Sequence, residues 1–164
     1  MQLIPDTERD IIRDLARKVA AVAARQEQED RVSMWLDHND LKRVRPMVLV
    51  FPEGAWRELM PDATLRCTHP MARGLEAELK RRIYHDTHLA DDNVIEATMA
   101  SPIVVHIPPL GLEVRHTPSE QQTGAFHIEQ TLVDESDIDR IIVAEATVDW
   151  EETERRFQQL ADIL

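Results

Sequence analysis

An unbroken apolar run, Met47–Phe51, constrains the fold of this chain more than any other stretch. The run does not alternate with polar residues, and such runs suit a strand that is covered on both faces, as in a parallel sheet. Pro46 restricts the preceding residue to an extended conformation, and Pro52 ends the run. The sequence therefore predicts the first buried strand of an α/β protein. A short loop, residues 52–57, follows it and carries an acid, an aromatic ring and a base.

Helical periodicity precedes and follows this run. An N-terminal helix is indicated by apolar residues that recur on one helix face: Ile11, Leu15, Val19 and Val22. A second apolar patch in "EQEDRVSMWLDHNDL" extends the helical character, so residues 1–42 are predicted to form a helical extension. Another helix is expected over Pro70–His88, with proline in its first turn and with Glu76 and Arg81 on its solvent side.

The order of the remaining elements is that of an unfinished α/β domain. Asn93–Thr98 and "SPIVVHIPP" are predicted strands, residues 112–116 and 125–130 a hairpin, and Asp149 opens a last helix. Alternating helices and strands normally close a parallel sheet with more strands than these. Residues 43–164 are therefore expected to be the first part of a larger sheet, and the chain the front portion of a longer protein.

Composition and charge exclude several classes of partner. The formal net charge is -12 and the isoelectric point is about 4.9, so neither nucleic acid nor an anionic membrane is expected as a main partner. The N-terminus lacks the basic and apolar regions of a signal peptide, and one cysteine, Cys67, fits a reducing compartment. A cytoplasmic protein that binds no membrane is predicted.

Three stretches carry a resemblance to a known family: "LKRVRPMVLVFPEGAWRELMP", "RGLEAELKRRIYHDTHLADDNVIEATMASPIVVH" and "LVDESDIDRI". Together they resemble the N-terminal part of uroporphyrinogen decarboxylase superfamily proteins, and more narrowly their methyltransferase-like branch. The resemblance implies a (β/α)₈ barrel preceded by helices, incomplete in this chain because such a barrel usually takes about 250 residues. Some members decarboxylate a tetrapyrrole without a cofactor. Others move methyl groups between corrinoid proteins and thiols, using zinc.

Two departures from the decarboxylase pattern favour the methyltransferase-like branch. Decarboxylases carry Arg-Gln-Ala-Gly-Arg after the first strand, where this chain has Pro-Glu-Gly-Ala-Trp-Arg, and Glu53 would repel a polycarboxylate substrate. They also carry an aspartate at the end of the second strand, where Glu96 is the only acid here. The zinc ligands of the methyltransferases, a histidine and two cysteines, lie late in the barrel. No cofactor is therefore expected on this chain, and zinc and a corrinoid partner are implied only for its parent.

The candidate substrate-binding residues follow two apolar runs. Glu53, Trp56 and Arg57 come after the first run, and His106 ends the third extended stretch. Because active sites of parallel barrels lie at the carboxyl ends of the strands, these four residues are predicted to share one pocket mouth. The alternatives are a core position for Trp56, a plain Glu53–Arg57 ion pair and a structural role for His106. The sequence identifies no catalytic residue.

Two further alternatives stay open at this stage. His85 and His88 lie three residues apart, on one face of the predicted helix, and could be two ligands of a metal. The ordinary alternative is a polar helix end with histidines near its C-terminal dipole. The whole chain could also be a non-catalytic acidic interaction module, or one half of a split protein that self-associates through unfinished sheet edges.

Overall fold

The computed structural model describes residues 3–108, 111, 114–119, 125–143 and 145–164. Its helices are α1 (Asp6–Ala23), α2 (Gln26–Asn39), α3 (Trp56–Leu59), α4 (Pro70–His88) and α5 (Trp150–Ile163). Its strands are β1 (Val104–His106), β2 (His116–Thr117), β3 (His127–Ile128) and β4 (Thr147–Asp149), with 3₁₀ turns at Glu53–Ala55, Asp62–Thr64 and Glu135–Arg140. The mixture of helices and short strands is consistent with the predicted α/β class.

The chain forms two compact units. The first comprises Met1–Ala100 and Gln158–Leu164, and the second comprises Ser101–Phe157. Residues 1–42, predicted as a helical extension, lie in the first unit together with everything up to Ala100. No described helix is both long enough and apolar enough to cross a membrane.

The core of the first unit lies between α1 and α4. Ile12 and Val19 from α1, Leu79 from α4 and Ile163 near the end of α5 are almost fully buried. Burying each such side chain contributes roughly 1.5–3 kcal/mol. Arg13 fastens the end of α5 by donating from Nε to the carbonyl oxygen of Ile163 at 3.0 Å. The predicted apolar face of α1 and the predicted span of α4 are both confirmed.

The apolar run Met47–Phe51 is not a buried strand, and this prediction is wrong. The segment pairs with no described strand, and the side chain of Phe51 is 73% exposed. Two carboxylates hold its backbone instead. The Val48 N–H donates to Asp92 Oδ2 at 2.8 Å, and the Val50 N–H donates to Asp91 Oδ2 at 3.0 Å. The Asp92 N–H returns a hydrogen bond to the Val48 carbonyl at 2.8 Å.

The predicted strand Asn93–Thr98 is also absent, because helix side chains bind its backbone. On the α2 side, Arg31 donates to the Asn93 carbonyl at 3.0 Å, and the Ile95 N–H donates to Gln28 Oε1 at 2.8 Å. On the α4 side, Arg82 donates to the carbonyls of residues 96 and 98 at 3.0 and 2.7 Å. These bonds satisfy polar backbone groups that a sheet ladder would otherwise pair.

The second unit contains two separate antiparallel strand pairs. β1 pairs with β4, and β2 pairs with β3. The β2–β3 pair falls in the predicted hairpin, although residues 112, 113 and 120–124 of that hairpin lie outside the described residues. The parallel arrangement expected from the element order is wrong for the described strands, and they form no barrel. None of the described hydrophobic residues of this unit is buried.

Candidate functional site

A cavity of about 480 Å³ opens beside Trp56 in the first unit. We call it the Trp56 cavity. Its lining is Phe51, Trp56, Glu78, Arg81, Arg82, His85, Asn93, Val94, Ile95 and Glu96. Cavities that bind small molecules usually measure about 300–1,000 Å³ and combine apolar walls with a few polar groups. The Trp56 cavity has this size, and its lining is more polar than usual: six of the ten lining residues are polar or charged and four are apolar.

Three chain segments build the cavity together with Phe51, and the local sequence explains each segment. Glu78, Arg82 and His85 lie on α4 at spacings of four and three residues, which places them on one helix face, with Arg81 beside them. Trp56 is the first residue of α3 and follows the 3₁₀ turn that starts at Glu53. The third wall is the extended segment 93–96, whose backbone is held by α2 and α4 side chains.

Aromatic rings fix the position of Trp56. Its ring meets Tyr84 edge-on, with centroids 5.6 Å apart and planes at 78°, and His85 at the same centroid distance. Tyr84 in turn stacks on His88 at 4.2 Å. Edge-to-face contacts of this kind contribute roughly 0.5–1.5 kcal/mol each beyond the area they bury. The Trp56 ring is therefore held in place by Tyr84 and His85, which both lie on α4.

The two arginines of the cavity differ in their engagement. Arg82 is engaged: its Nε donates to Glu78 Oε1 at 2.9 Å, and its Nη1 donates to two backbone carbonyls. Arg81 lies over the Trp56 ring, with Cζ 5.6 Å from the ring centroid. It forms no hydrogen bond or salt bridge with any residue in the described part of the chain. The N–H donors of Arg81 are therefore available to a ligand.

The two acidic residues of the cavity also differ in whether they form a salt bridge. Glu78 is bound by Arg82 in a salt bridge four residues along the helix. Glu96 is exposed and accepts a long hydrogen bond of 3.4 Å from the Thr98 hydroxyl. It forms no salt bridge with another residue in the described ranges. One engaged ion pair and two separate, unpaired charges therefore line the same space.

His85 contributes a polar edge beneath Trp56. Its Nδ1 lies 3.7 Å from Asp91 Oδ2, beyond hydrogen-bond distance, and has no hydrogen-bond partner among the described residues. His88 is engaged elsewhere, with Nδ1 2.6 Å from the Thr87 hydroxyl. The described residues contain no group of three or more His, Cys, Asp or Glu side chains that could hold a metal ion. A metal site at His85 and His88 stays a prediction.

Asp92 positions the chain that leads to the cavity. It accepts hydrogen bonds from Arg45 and from the Val48 N–H, and these lower the pKa of its carboxyl group despite the opposing effect of burial. The Asp92 carbonyl also accepts from the Trp35 indole N–H at 2.8 Å. This one residue therefore ties the extended segment ending at Phe51 to helix α2.

The four predicted site residues have different surroundings. Trp56 lines the cavity, whereas Glu53 and Arg57 are exposed and form no salt bridge with each other. The backbone of Glu53 has φ of 45°, a conformation that costs energy for a residue other than glycine. His106 belongs to the second unit, where Nε2 lies 3.6 Å from Asp149 Oδ2 across the β1–β4 pair. A pocket mouth shared by all four residues stays a prediction.

The sequence pattern does not indicate Arg81 and Glu96, the two unpaired charged residues of the cavity, as site residues. The sequence predicts Arg81 on the solvent side of its helix, and it indicates Glu96 only as an acid at a predicted strand end. The spacing of residues 78, 82 and 85 is a signal that could have identified the α4 face. What the spacing does not reveal is that Trp56 packs on that face.

Cys67 is not a nucleophile in this structure. Burial raises the pKa of its thiol to about 12, and the nearby Glu76 carboxylate adds to the effect. A thiol of this kind carries almost no thiolate at neutral pH, and the thiolate is the reactive form.

Comparison with protein-family models, with curated proteins and with solved structures gives no match to this chain.

Proposed function

We propose that the Trp56 cavity binds a small organic molecule, and that the chain is the ligand-binding front portion of a protein similar to the uroporphyrinogen decarboxylase superfamily. The observation that carries the proposal is the unpaired Arg81 guanidinium beside an aromatic wall in a cavity of ligand size. Convergent polar groups on an apolar surface are the usual signature of a small-molecule site.

The parent protein is proposed to be a corrinoid-linked methyltransferase rather than a porphyrinogen decarboxylase. Support comes from the Pro-Glu-Gly-x-Trp-Arg motif, whose tryptophan lines the cavity. Further support is the single unpaired arginine there, which is few for a substrate with many carboxylates. A (β/α)₈ barrel is proposed for the parent from the resemblance alone, because the described strands of this chain form only two antiparallel pairs. Zinc and a corrinoid partner are proposed only for the parent, as the resemblance implies.

The binding proposal is tested through the three tryptophan indole N–H signals in a ¹⁵N NMR spectrum. Trp56→Phe identifies the Trp56 signal, and a library of small aromatic acids, amines and amides is then added to the wild-type chain. Ligands should shift the Trp56 signal and leave the Trp35 signal in place, because Trp35 does not line the cavity. If no compound moves the Trp56 signal at millimolar concentration, the binding proposal is wrong.

The methyltransferase proposal needs the parent protein. Methyl transfer from methylcobalamin to a thiol should be detectable, and uroporphyrinogen should not lose carboxyl groups. Stepwise decarboxylation of uroporphyrinogen by the parent would overturn the assignment.

A second candidate function is favoured by the second unit. Its described residues include several large apolar side chains that are more than half exposed, among them Val133, Ile142, Val143 and Trp150. Its sequence carries twelve acidic residues against four arginines and no lysine. Exposed apolar patches of this kind commonly mark interaction surfaces. An acidic interaction module, or one half of a split protein, fits these features.

Sedimentation velocity tests this alternative. An interaction module that pairs with itself should show mass rising with concentration, and more so at high salt, because salt screens the repulsion between acidic surfaces. A monomer at all concentrations and salt levels would count against self-association.

A further inference from the structure

Two arginines and two glutamates line the Trp56 cavity, so their formal charges sum to zero. Arg82 and Glu78 neutralise each other within α4, so neither needs a ligand. Arg81 and Glu96 line the same cavity, but no salt bridge joins them. A purely anionic ligand would satisfy Arg81 and place its charge near an uncompensated Glu96. A purely cationic ligand would satisfy Glu96 and leave the charge of Arg81 uncompensated.

The donors and acceptors of these two residues are complementary to two different ligand groups. The planar guanidinium of Arg81 offers paired N–H donors that match a carboxylate. Glu96 offers carboxylate oxygens that accept from an ammonium group. Trp56 and the half-buried His85 line the same cavity and offer an aromatic surface for an apolar or planar body. Phe51 adds an apolar side chain to the lining.

We propose that the ligand of the Trp56 cavity is a zwitterion of the amino-acid type with an aromatic or planar body. Its carboxylate binds Arg81, its ammonium group binds Glu96, and its ring lies against Trp56. This inference depends on the proposed binding function and names the chemical class of the ligand. The Arg81 guanidinium lies over the Trp56 ring, which places its N–H donors beside the aromatic wall.

Three probes of nearly equal shape separate the charges: L-phenylalanine, 3-phenylpropionate and phenethylamine. Each is titrated into the full chain while the Trp56 indole signal is followed by NMR. L-Phenylalanine should bind roughly tenfold or more tightly than either singly charged probe, as expected for one additional charge-assisted contact.

Two substitutions test the assignment of each end. Arg81→Gln should reduce phenylalanine to the affinity of phenethylamine, and Glu96→Gln should reduce it to the affinity of 3-phenylpropionate. Both residues are exposed, so neither variant should disturb folding, and an unshifted Trp35 signal checks this. Arg43→Gln and Glu58→Gln are matched controls, because both residues are exposed and neither lines the cavity. They should bind phenylalanine as the wild type does.

The outcomes distinguish this inference from the binding proposal beneath it. If 3-phenylpropionate or phenethylamine binds as tightly as phenylalanine, the zwitterion assignment is wrong while the cavity remains a binding site. The same conclusion follows if Arg81→Gln or Glu96→Gln leaves phenylalanine binding unchanged. If neither these probes nor any library compound shifts the Trp56 signal, both proposals fail together.

Discussion

Arg45 and Asp92 form a two-pronged ion pair in which the guanidinium donates to both carboxylate oxygens. The same carboxylate accepts the Val48 N–H, so the pair joins two segments that are 44 residues apart in sequence. Bidentate arginine–carboxylate pairs fix geometry more strongly than single hydrogen bonds do. The pair therefore determines where the extended segment before the Trp56 cavity can lie.

Arg45→Gln is expected to release this segment without unfolding the first unit. Removing the guanidinium leaves the Asp92 carboxylate with weaker partners, so the hydrogen bond from the Val48 N–H should open more often. Hydrogen exchange of the Val48 amide should accelerate, while core amides such as that of Leu79 stay protected. Arg43→Gln is the control, because Arg43 is exposed and two residues away. Unchanged exchange at Val48 in the Arg45 variant would contradict the role of the pair.

Glu76 is expected to make stability depend on pH in a defined range. Burial raises the pKa of its carboxyl group, but the N–H groups of Cys67 and Arg66 and the Lys80 ammonium outweigh burial and bring the pKa to about 2. The folded chain thus favours ionised Glu76 more than the unfolded chain does. The stabilisation is complete above the ordinary pKa of 4.5 and is lost as the pH falls toward about 2.

The measurement is the free energy of unfolding of the wild type and of Glu76→Gln by urea at several pH values. At neutral pH the substitution should cost on the order of 2 kcal/mol, since it leaves buried backbone donors facing an amide. The difference between the two chains should shrink between pH 4.5 and pH 2. Glu78→Gln, two residues along α4, should cost no more than about 1 kcal/mol because its ion pair with Arg82 is partly exposed. A pH-independent difference for Glu76→Gln would contradict the assigned pKa.

Local pattern predicted the helices well and the extended segments poorly. The apolar spacing in α1 and the proline in the first turn of α4 were sufficient to place both helices. The run Met47–Phe51 predicts a strand, because an apolar run without polar residues is usually buried. Its backbone is instead bound by Asp91 and Asp92, more than forty residues away. No periodicity within the run can indicate such distant carboxylates.

The candidate site was predicted in part, for a related reason. Trp56 was selected because it follows the apolar run, and it does line the cavity. Glu76 was assigned to solvent from its charge, yet its side chain is fully buried because the backbone of residues 66 and 67 turns its N–H groups toward it. Sequence pattern identifies which residues are polar. It does not identify which polar residues the backbone of another segment will satisfy.

Cys67 is expected to resist thiol reagents in the folded chain. A pKa of about 12, against an ordinary value of 9.0, means about a thousandfold less thiolate at neutral pH than an unburied thiol would carry. The rate of reaction with a disulfide reagent such as Ellman's reagent should be very low in buffer and rise sharply in denaturant. The denatured chain is the control, since this is the one cysteine in the sequence. Rapid labelling in buffer would show that Cys67 is accessible.

The unequal cores of the two units predict unequal costs for truncating apolar side chains. Leu79 is 1% exposed between α1 and α4, so Leu79→Ala should lower the free energy of unfolding by about 2–5 kcal/mol. Val143, in the second unit, is 93% exposed, and Val143→Ala should change it by no more than about 0.5 kcal/mol. Urea unfolding followed by circular dichroism at low protein concentration measures the free energy of unfolding of both variants. If Val143→Ala destabilises the chain by more than about 1 kcal/mol, that side chain is buried in solution. The second unit would then be covered by another copy of the chain, and the measured cost should grow with protein concentration.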